Sequence, residues 1–212
     1  MWELVKAGGW LMLPLILCSI FTIAISIERY LRLKRQWVLP KALILQQGQK
    51  VDTVVQQLQH NPALKNSTLG RIFSVGIAEK KQNQHYARAQ MEATASQEIG
   101  YLEKNINFLG TLSAVAPLLG LLGTVLGIIE SFLVIDVGST SNPTLMIPGI
   151  SKALITTAAG MLIAVPALFA YRYFQRLVQE YIAELEQQAT LFHAALYYHD
   201  AQATADDLDQ AS

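Results

Sequence analysis

Two threonine hydroxyls lie deep within the long apolar segments of this sequence, where a polar group could take part in chemistry. Thr124 and Thr157 lie at equal distances on either side of a polar turn near residues 140–141. If the two segments form a helical hairpin, both hydroxyls share one level, because an α-helix rises about 1.5 Å per residue. Several copies around an axis would then line a polar path, with Thr156 and Ser113 as secondary candidates. The alternative is a hydroxyl that bonds back to its own helix and only packs.

Glu130 and Lys152 are the two charged residues within the apolar residues 105–135 and 148–171, and they are also nearly equidistant from the turn. A lone charge in the hydrocarbon of a membrane costs several kcal/mol, so such residues pair with each other or line water. We therefore predict an ion pair, within one hairpin or between neighbouring copies. The alternative is that both side chains snorkel to the headgroups. Both explanations are favoured over a direct role in transport.

The sequence carries none of the residue sets that enzymes and metal proteins use. There is no H-E-x-x-H, G-x-S-x-G or P-loop motif, and the four histidines lie outside the apolar segments. The one cysteine, Cys18, excludes an internal disulfide and a cysteine-based zinc site. Sixteen basic and sixteen acidic residues cancel, which argues against nucleic acid as a partner. We expect no catalytic residues, no metal and no cofactor.

Composition places the chain in a membrane. Of its 212 residues 52% are apolar and 15% are charged, and the mean hydropathy is +0.30, whereas soluble domains carry about 25% charged residues. Residues 10–28, 105–135 and 148–172 are apolar stretches long enough to cross about 30 Å of hydrocarbon as helices. The expected fold is all-α, with three transmembrane helices extended by long cytoplasmic helices. A cleaved signal peptide at the first stretch is the weaker alternative, because no small-residue cleavage site follows it.

Positive charge predicts the orientation. Of the sixteen Lys and Arg, all but Lys6 and Lys152 lie between Arg29 and Lys104 or after Tyr171, and cytoplasmic segments carry this excess. The amino terminus is therefore expected outside. The remaining segments are then an outer amino-terminal segment 1–9, a cytoplasmic helical domain 29–104, a periplasmic loop 136–147, a cytoplasmic helix 173–199 and a disordered tail 200–212. Within the cytoplasmic domain we expect a helix over 41–58, and a long helix from Leu69 into the second span.

Small residues recur every three or four positions along the second and third spans. Since lipid gives helices little hydrophobic drive to associate, such residues permit close backbone packing. The residues predicted to pack the helices are Gly120, Gly123, Gly127, Gly160, Pro117 and Pro166.

Three stretches of the sequence resemble one family of membrane proteins. The first is Gly8-Gly9 with Met12, Pro14 and the Glu28-Arg29-Tyr30-Leu31 exit. The second runs from Leu109-Gly110-Thr111 through Ala114-Val115-Ala116-Pro117 to Gly120-Leu121-Leu122-Gly123-Thr124-Val125-Leu126-Gly127-Ile128. The third is Pro148-Gly149-Ile150-Ser151, then Ala153-Leu154-Ile155-Thr156-Thr157-Ala158-Ala159-Gly160 and Ala164-Val165-Pro166-Ala167. On these residues the chain is identified as a member of the MotA/TolQ/ExbB proton-channel superfamily, similar to ExbB.

The resemblance implies a pentamer in the bacterial inner membrane, whose second and third spans surround two helices of a single-span ExbD/TolR-like partner. In that arrangement an aspartate of the partner carries the proton, Thr124 and Thr157 line its route, and a TonB-like protein is energised for outer-membrane transport. Several relatives have a glutamate where this chain has Lys152, so a role of that acid in conduction does not carry over. A TolQ-like role in envelope maintenance, or a non-conducting scaffold for the partner helices, are the alternatives.

Overall fold

The computed structural model describes residues 8–45, 51–80, 83–137 and 143–210, and for 134–137, 143 and 198–210 it describes the backbone. Within these ranges the secondary structure is helical and contains no strand, which confirms the all-α prediction. The helices are α1 (Met12–Arg32), α2 (Arg35–Val38), α3 (Val51–His60), α4 (Pro62–Lys65), α5 (Thr68–Ala78), α6 (Gln84–Glu103), α7 (Ile106–Val137) and α8 (Ile147–Gln210). Short 3₁₀ turns occupy Lys41–Leu43 and Pro143–Met146.

Three of these helices, α1, α7 and α8, carry the three predicted spans. Among the described residues each contains a stretch that is long and apolar enough to cross a membrane, as the sequence predicts. At most a third of each of these stretches is buried within the chain. Large apolar side chains such as Leu118, Leu162 and Phe169 are mostly exposed. The outer faces of these helices therefore require lipid or other protein as their surroundings.

The chain divides into two compact units, and the first comprises residues 1–29 and 105–175. Its core joins Met12 and Leu15 of α1 to Ala116 of α7 and Ala164 of α8. Phe21 and Phe108 add an edge-to-face contact at 6.1 Å between ring centroids. Large side chains of α1 thus pack against small residues of the hairpin helices, which lets three helices approach closely.

The second unit comprises residues 30–104 and 176–212 and has its own core. The rings of Phe73 and Phe192 stack with their centroids 3.9 Å apart, and both side chains are fully buried. The buried Tyr181 hydroxyl donates to the Leu33 carbonyl at 2.9 Å. Helix α8 therefore contributes apolar and polar contacts that hold the shorter helices of this unit.

The helix expected over 41–58 is only partly present. A 3₁₀ turn follows Pro40, and Ile44 is already extended, with φ −73° and ψ 115°. The Leu45 amide donates to Gln188 Oε1 at 2.7 Å, so a side chain of α8 replaces the helical acceptor. Residues 46–50 lie outside the described ranges, and the helix proper is Val51–His60.

The long helix expected from Leu69 into the second span is interrupted twice. Helix α5 ends at Ala78, and Asn83 caps α6 by accepting a hydrogen bond of 2.9 Å from the His85 amide. A second break separates α6 from α7 at Asn105, whose φ is +64°. Asparagine adopts this left-handed conformation more readily than most residues, which explains a helix end at that position.

Helix α8 extends further than the sequence predicts. Its backbone is helical to Gln210, through most of the region 200–212 expected to be disordered, and residues 211–212 lie outside the described ranges. Ala201, Ala203 and Ala205 occur in this stretch, and alanine has the strongest intrinsic preference for helix. The aspartates that suggested disorder are thus compatible with a helical backbone.

Candidate functional site

Helices α7 and α8 approach so closely that their glycines have no room for a side chain. A Cβ atom on Gly160 would lie 2.6 Å from the Ala116 carbonyl oxygen, and one on Gly120 would lie 3.1 Å from the Thr157 Cα. A Cβ on Gly127 would lie 2.8 Å from the Ala153 Cβ. Small residues therefore set the spacing of the hairpin along several turns, as is usual where helices pack in lipid.

Thr157 hydrogen-bonds across this seam. Its Oγ1 donates to the carbonyl oxygen of Gly120 on α7 at 3.0 Å, and the residue is half-buried. Close approach of the two backbones at Gly120 is what brings that carbonyl within reach. The hydroxyl oxygen keeps its acceptor capacity while its proton is engaged.

Thr124 is also half-buried but bonds within its own helix. Its Oγ1 donates to the Leu121 carbonyl at 2.6 Å. This is the local arrangement that the sequence leaves open as the alternative to a polar lining. The two threonines thus differ in hydrogen bonding, and lining of a pore by either stays a prediction.

The secondary candidates occupy different surroundings. Thr156 is 1% exposed, donates to the Ala153 carbonyl at 2.9 Å and fills the space opposite Gly123. Ser113 is half-buried and donates to the Gly110 carbonyl at 2.7 Å. Thr156 therefore packs within the seam of a single chain, and its role in a path stays a prediction.

Glu130 and Lys152 lie together at the loop end of the hairpin. Lys152 Nζ is 2.8 Å and 3.0 Å from the two carboxylate oxygens of Glu130, so one ammonium contacts both. The lysine side chain is 27% exposed and the glutamate side chain 50%. Two opposite charges within the apolar hairpin helices thereby neutralise each other in one chain.

The two prolines predicted to pack lie inside unbroken helices. Pro117 is half-buried within α7, and Pro166 is exposed within α8. Proline removes one backbone hydrogen bond and is tolerated in membrane helices where neighbouring groups satisfy the freed carbonyl.

A polar cluster that the sequence analysis did not predict joins α1 to the start of α7. Glu28 Oε2 accepts from Asn105 Nδ2 at 3.0 Å, and Glu28 Oε1 lies 3.0 Å from an Arg29 nitrogen. Arg29 is 1% exposed. The sequence offers no signal for this contact, because Glu28 and Asn105 are far apart in the chain and each is an ordinary polar residue at a span boundary.

Ser131 is a second residue whose contacts the sequence analysis did not predict. It is buried, donates to the Gly127 carbonyl at 2.8 Å, and approaches the Met146 carbonyl at 3.3 Å. It therefore joins α7 to the 3₁₀ turn that precedes α8. Among the described residues, no cluster of His, Cys, Asp and Glu could hold a metal ion.

Comparison with known proteins identifies the family. The profile of the MotA/TolQ/ExbB proton channel family matches residues 64–187, which include α7 and the apolar part of α8. The chain belongs to the MotA/TolQ/ExbB family. It is accordingly a multi-pass membrane protein and a channel or motor subunit.

Members of the MotA/TolQ/ExbB family from several bacteria are similar over most of the chain. The putative biopolymer transport protein ExbB-like 1 of Synechocystis is 32% identical over 92% of this chain and 80% of its own length. The biopolymer transport protein ExbB of Salmonella typhimurium is 31% identical over 82% of this chain and 75% of its own length. The Tol-Pal system protein TolQ of Haemophilus influenzae is 33% identical over 58% of this chain and 60% of its own length.

Proposed function

We propose that this chain is the proton-conducting subunit of an ExbB-ExbD-TonB-like complex that uses the proton motive force to energise outer-membrane transport. The observation that supports it most directly is the seam between α7 and α8. There the Thr157 hydroxyl is held by the Gly120 carbonyl, in a hairpin whose charges, Glu130 and Lys152, are already paired. Family membership supplies the context.

The proposed orientation has the amino terminus outside the bacterial inner membrane and both 29–104 and 173–199 in the cytoplasm. It is supported by the distribution of Lys and Arg, of which fourteen of sixteen lie in these segments or next to them. In this orientation the Glu130–Lys152 pair lies towards the outer surface. Thr124 and Thr157 lie deeper in the membrane. Each is about 8 to 9 Å further from the loop along its helix than the charged residue of the same helix.

We further propose that several copies assemble around an axis. Large apolar side chains on both arms of the hairpin, such as Leu121 and Phe132 on α7 and Leu154 on α8, are exposed in the single chain. One part of this surface meets lipid, and another is available to neighbouring copies. The pentameric number is taken from the family resemblance.

The proton carrier must come from another chain. Within residues 106–133 and 144–171, whose side chains the structure describes, the charged groups are Glu130 and Lys152, at the loop end. A proton path through the membrane normally contains a titratable group near its middle. An ExbD/TolR-like single-span helix with an intramembrane aspartate would supply that group, with Thr157 as a hydroxyl beside it.

An ExbB-like role is preferred to a TolQ-like role in envelope maintenance. Similarity to the Synechocystis and Salmonella ExbB-type proteins extends over 92% and 82% of the chain, whereas similarity to the Haemophilus TolQ extends over 58%. The TolQ alternative keeps the same channel with a different output. Complementation of strains lacking one or the other system distinguishes the two roles.

The decisive experiment measures proton flux. The chain is co-purified with its single-span partner and reconstituted in liposomes with an internal pH dye and a potassium diffusion potential. We expect acidification with the wild-type partner and none when the partner's intramembrane aspartate is replaced by asparagine. An assembled wild-type complex without flux would leave the non-conducting scaffold as the better explanation. Native mass spectrometry of the same sample tests the pentamer.

A further inference from the structure

The turn before α1 lies directly against the charged end of Lys152. Gly9 has φ +71°, a left-handed conformation that glycine adopts without strain. A Cβ atom there would collide with Lys152 Cε and lie 2.8 Å from Nζ. A Cβ on Gly8 would meet Thr156 Cγ2 at 3.4 Å, one helical turn further along α8. Both glycines of this turn therefore lie close to α8, and a Cβ at position 9 would require the end of the Lys152 side chain to move.

Lys152 is consequently restrained by two elements besides its own helix. Its Nζ contacts both carboxylate oxygens of Glu130 on α7, and the backbone of Gly9 covers the end of its side chain. Its own carbonyl receives a hydrogen bond of 3.2 Å from Thr156. A lysine normally has a flexible four-carbon side chain that samples many rotamers. Here the end of the side chain lies against Gly9, and its ammonium contacts the Glu130 carboxylate.

The position of the ammonium matters because a proton path would run close by. Thr157 is five residues from Lys152 and Thr124 is six from Glu130, which places each hydroxyl about 8 to 9 Å away along its helix. In a membrane of low dielectric constant an unpaired cation at this distance repels a proton strongly, whereas a paired one does not. Pairing with Glu130 removes that repulsion.

We propose that Gly9 is a positioning residue that keeps the Lys152 ammonium on the Glu130 carboxylate, so that this end of the proton path carries no net charge. The inference rests on the proposed function, since it concerns the path through the hairpin. It predicts an asymmetry between the two charged residues. Loss of the carboxylate exposes a cation and hinders protons, whereas loss of the ammonium leaves an anion that attracts them.

Four variants test this asymmetry in the reconstituted complex. Glu130→Gln is expected to lower proton flux by about tenfold or more, because it leaves Lys152 unpaired. Lys152→Gln is expected to conduct at least as well as the wild type. The double variant Glu130→Gln/Lys152→Gln is expected to recover most of the flux, and the exchanged pair Glu130→Lys/Lys152→Glu should do the same.

The role of Gly9 is tested by its dependence on Lys152. Gly9→Ala is expected to lower flux in the wild-type chain, because the new Cβ displaces the ammonium from Glu130. In a Lys152→Ala background the same change removes no charge pairing, so the flux should stay as it is in Lys152→Ala. Thermal unfolding of each variant, together with its retention of the partner, separates this effect from the strain of alanine at positive φ.

Each outcome decides the proposal. Equal losses in Glu130→Gln and Lys152→Gln, without recovery in the double variant, would mean that the pair only packs the hairpin and would overturn the inference while the channel function stands. Full flux in Glu130→Gln overturns it too. An assembled wild-type complex that conducts no protons overturns the proposed function and this inference together. Failure of the proposed function is thus distinguished from failure of this inference alone, because it is seen in the wild-type complex before any substitution.

Discussion

Thr157 Oγ1 donates a hydrogen bond to the Gly120 carbonyl on the facing helix at 3.0 Å, whereas Thr124 Oγ1 donates to Leu121 within its own helix. Two threonines at one predicted level therefore have unequal structural roles. The hydroxyl of Thr157 is fixed relative to both arms of the hairpin, and that of Thr124 relative to one. A fixed hydroxyl is the better candidate for contact with a titratable group of a partner helix.

Replacement of Thr157 by valine, which keeps its shape and removes the hydroxyl, is expected to abolish proton flux while the complex still assembles. The lost hydrogen bond costs only about 1 kcal/mol of stability, because hydrogen bonds between membrane helices are weak. Thr157→Ser is the matched control and should retain flux. Undiminished flux in Thr157→Val, measured in liposomes with the partner present, would remove this hydroxyl from the proposed path.

Gly160→Ala is expected to destabilise the hairpin by about 1 to 3 kcal/mol, because the new methyl group would lie against the Ala116 carbonyl in a closely packed seam. Gly100→Ala is the control, since a Cβ at Gly100 meets nothing within 4 Å. Alanine there should stabilise α6 by about 0.5 to 1 kcal/mol through its greater helix propensity. Unfolding of the detergent-solubilised chain by denaturant compares the two, and equal shifts would contradict the packing described here.

Asn105 donates a hydrogen bond to Glu28 and has a left-handed backbone conformation, and two substitutions separate these contributions to stability. Asn105→Gly removes the hydrogen bond to Glu28 but tolerates φ +64°. Asn105→Ala removes the same hydrogen bond but keeps a Cβ in the left-handed region, without the side-chain amide that lets asparagine adopt it. We expect the alanine variant to be less stable than the glycine variant by about 1 to 2 kcal/mol. If thermal unfolding finds the two variants equally stable, the positive φ is not maintained in the protein.

Phe192→Ala is expected to destabilise the second unit by about 3 to 5 kcal/mol, because it removes a fully buried ring stacked on Phe73. Leu191→Ala removes a neighbouring side chain of α8 that is 45% exposed, and should change stability by less than about 1 kcal/mol. Limited proteolysis of residues 30–104 in the full chain reports the difference. Similar protease sensitivity in both variants would show that the stacked pair is not central to this unit.

The residue types and their spacing along the chain were sufficient to predict the helical class, the three apolar spans and the family. A stretch of some twenty apolar residues has few alternatives to a membrane helix, because every backbone polar group must be satisfied within the helix itself. Equidistance from a turn likewise placed Glu130 and Lys152 at one height, since helical rise is constant. These properties depend on the order of residues along one chain.

Tertiary structure alone decided which contacts those residues make. That Thr157 bonds across the seam while Thr124 does not depends on the close approach of two backbones at Gly120. The contact of Gly9 with Lys152 and of Glu28 with Asn105 joins residues far apart in sequence. Helical periodicity fixes the height of a side chain and its face, but the partner on the facing helix follows from how three helices pack, which no local pattern encodes.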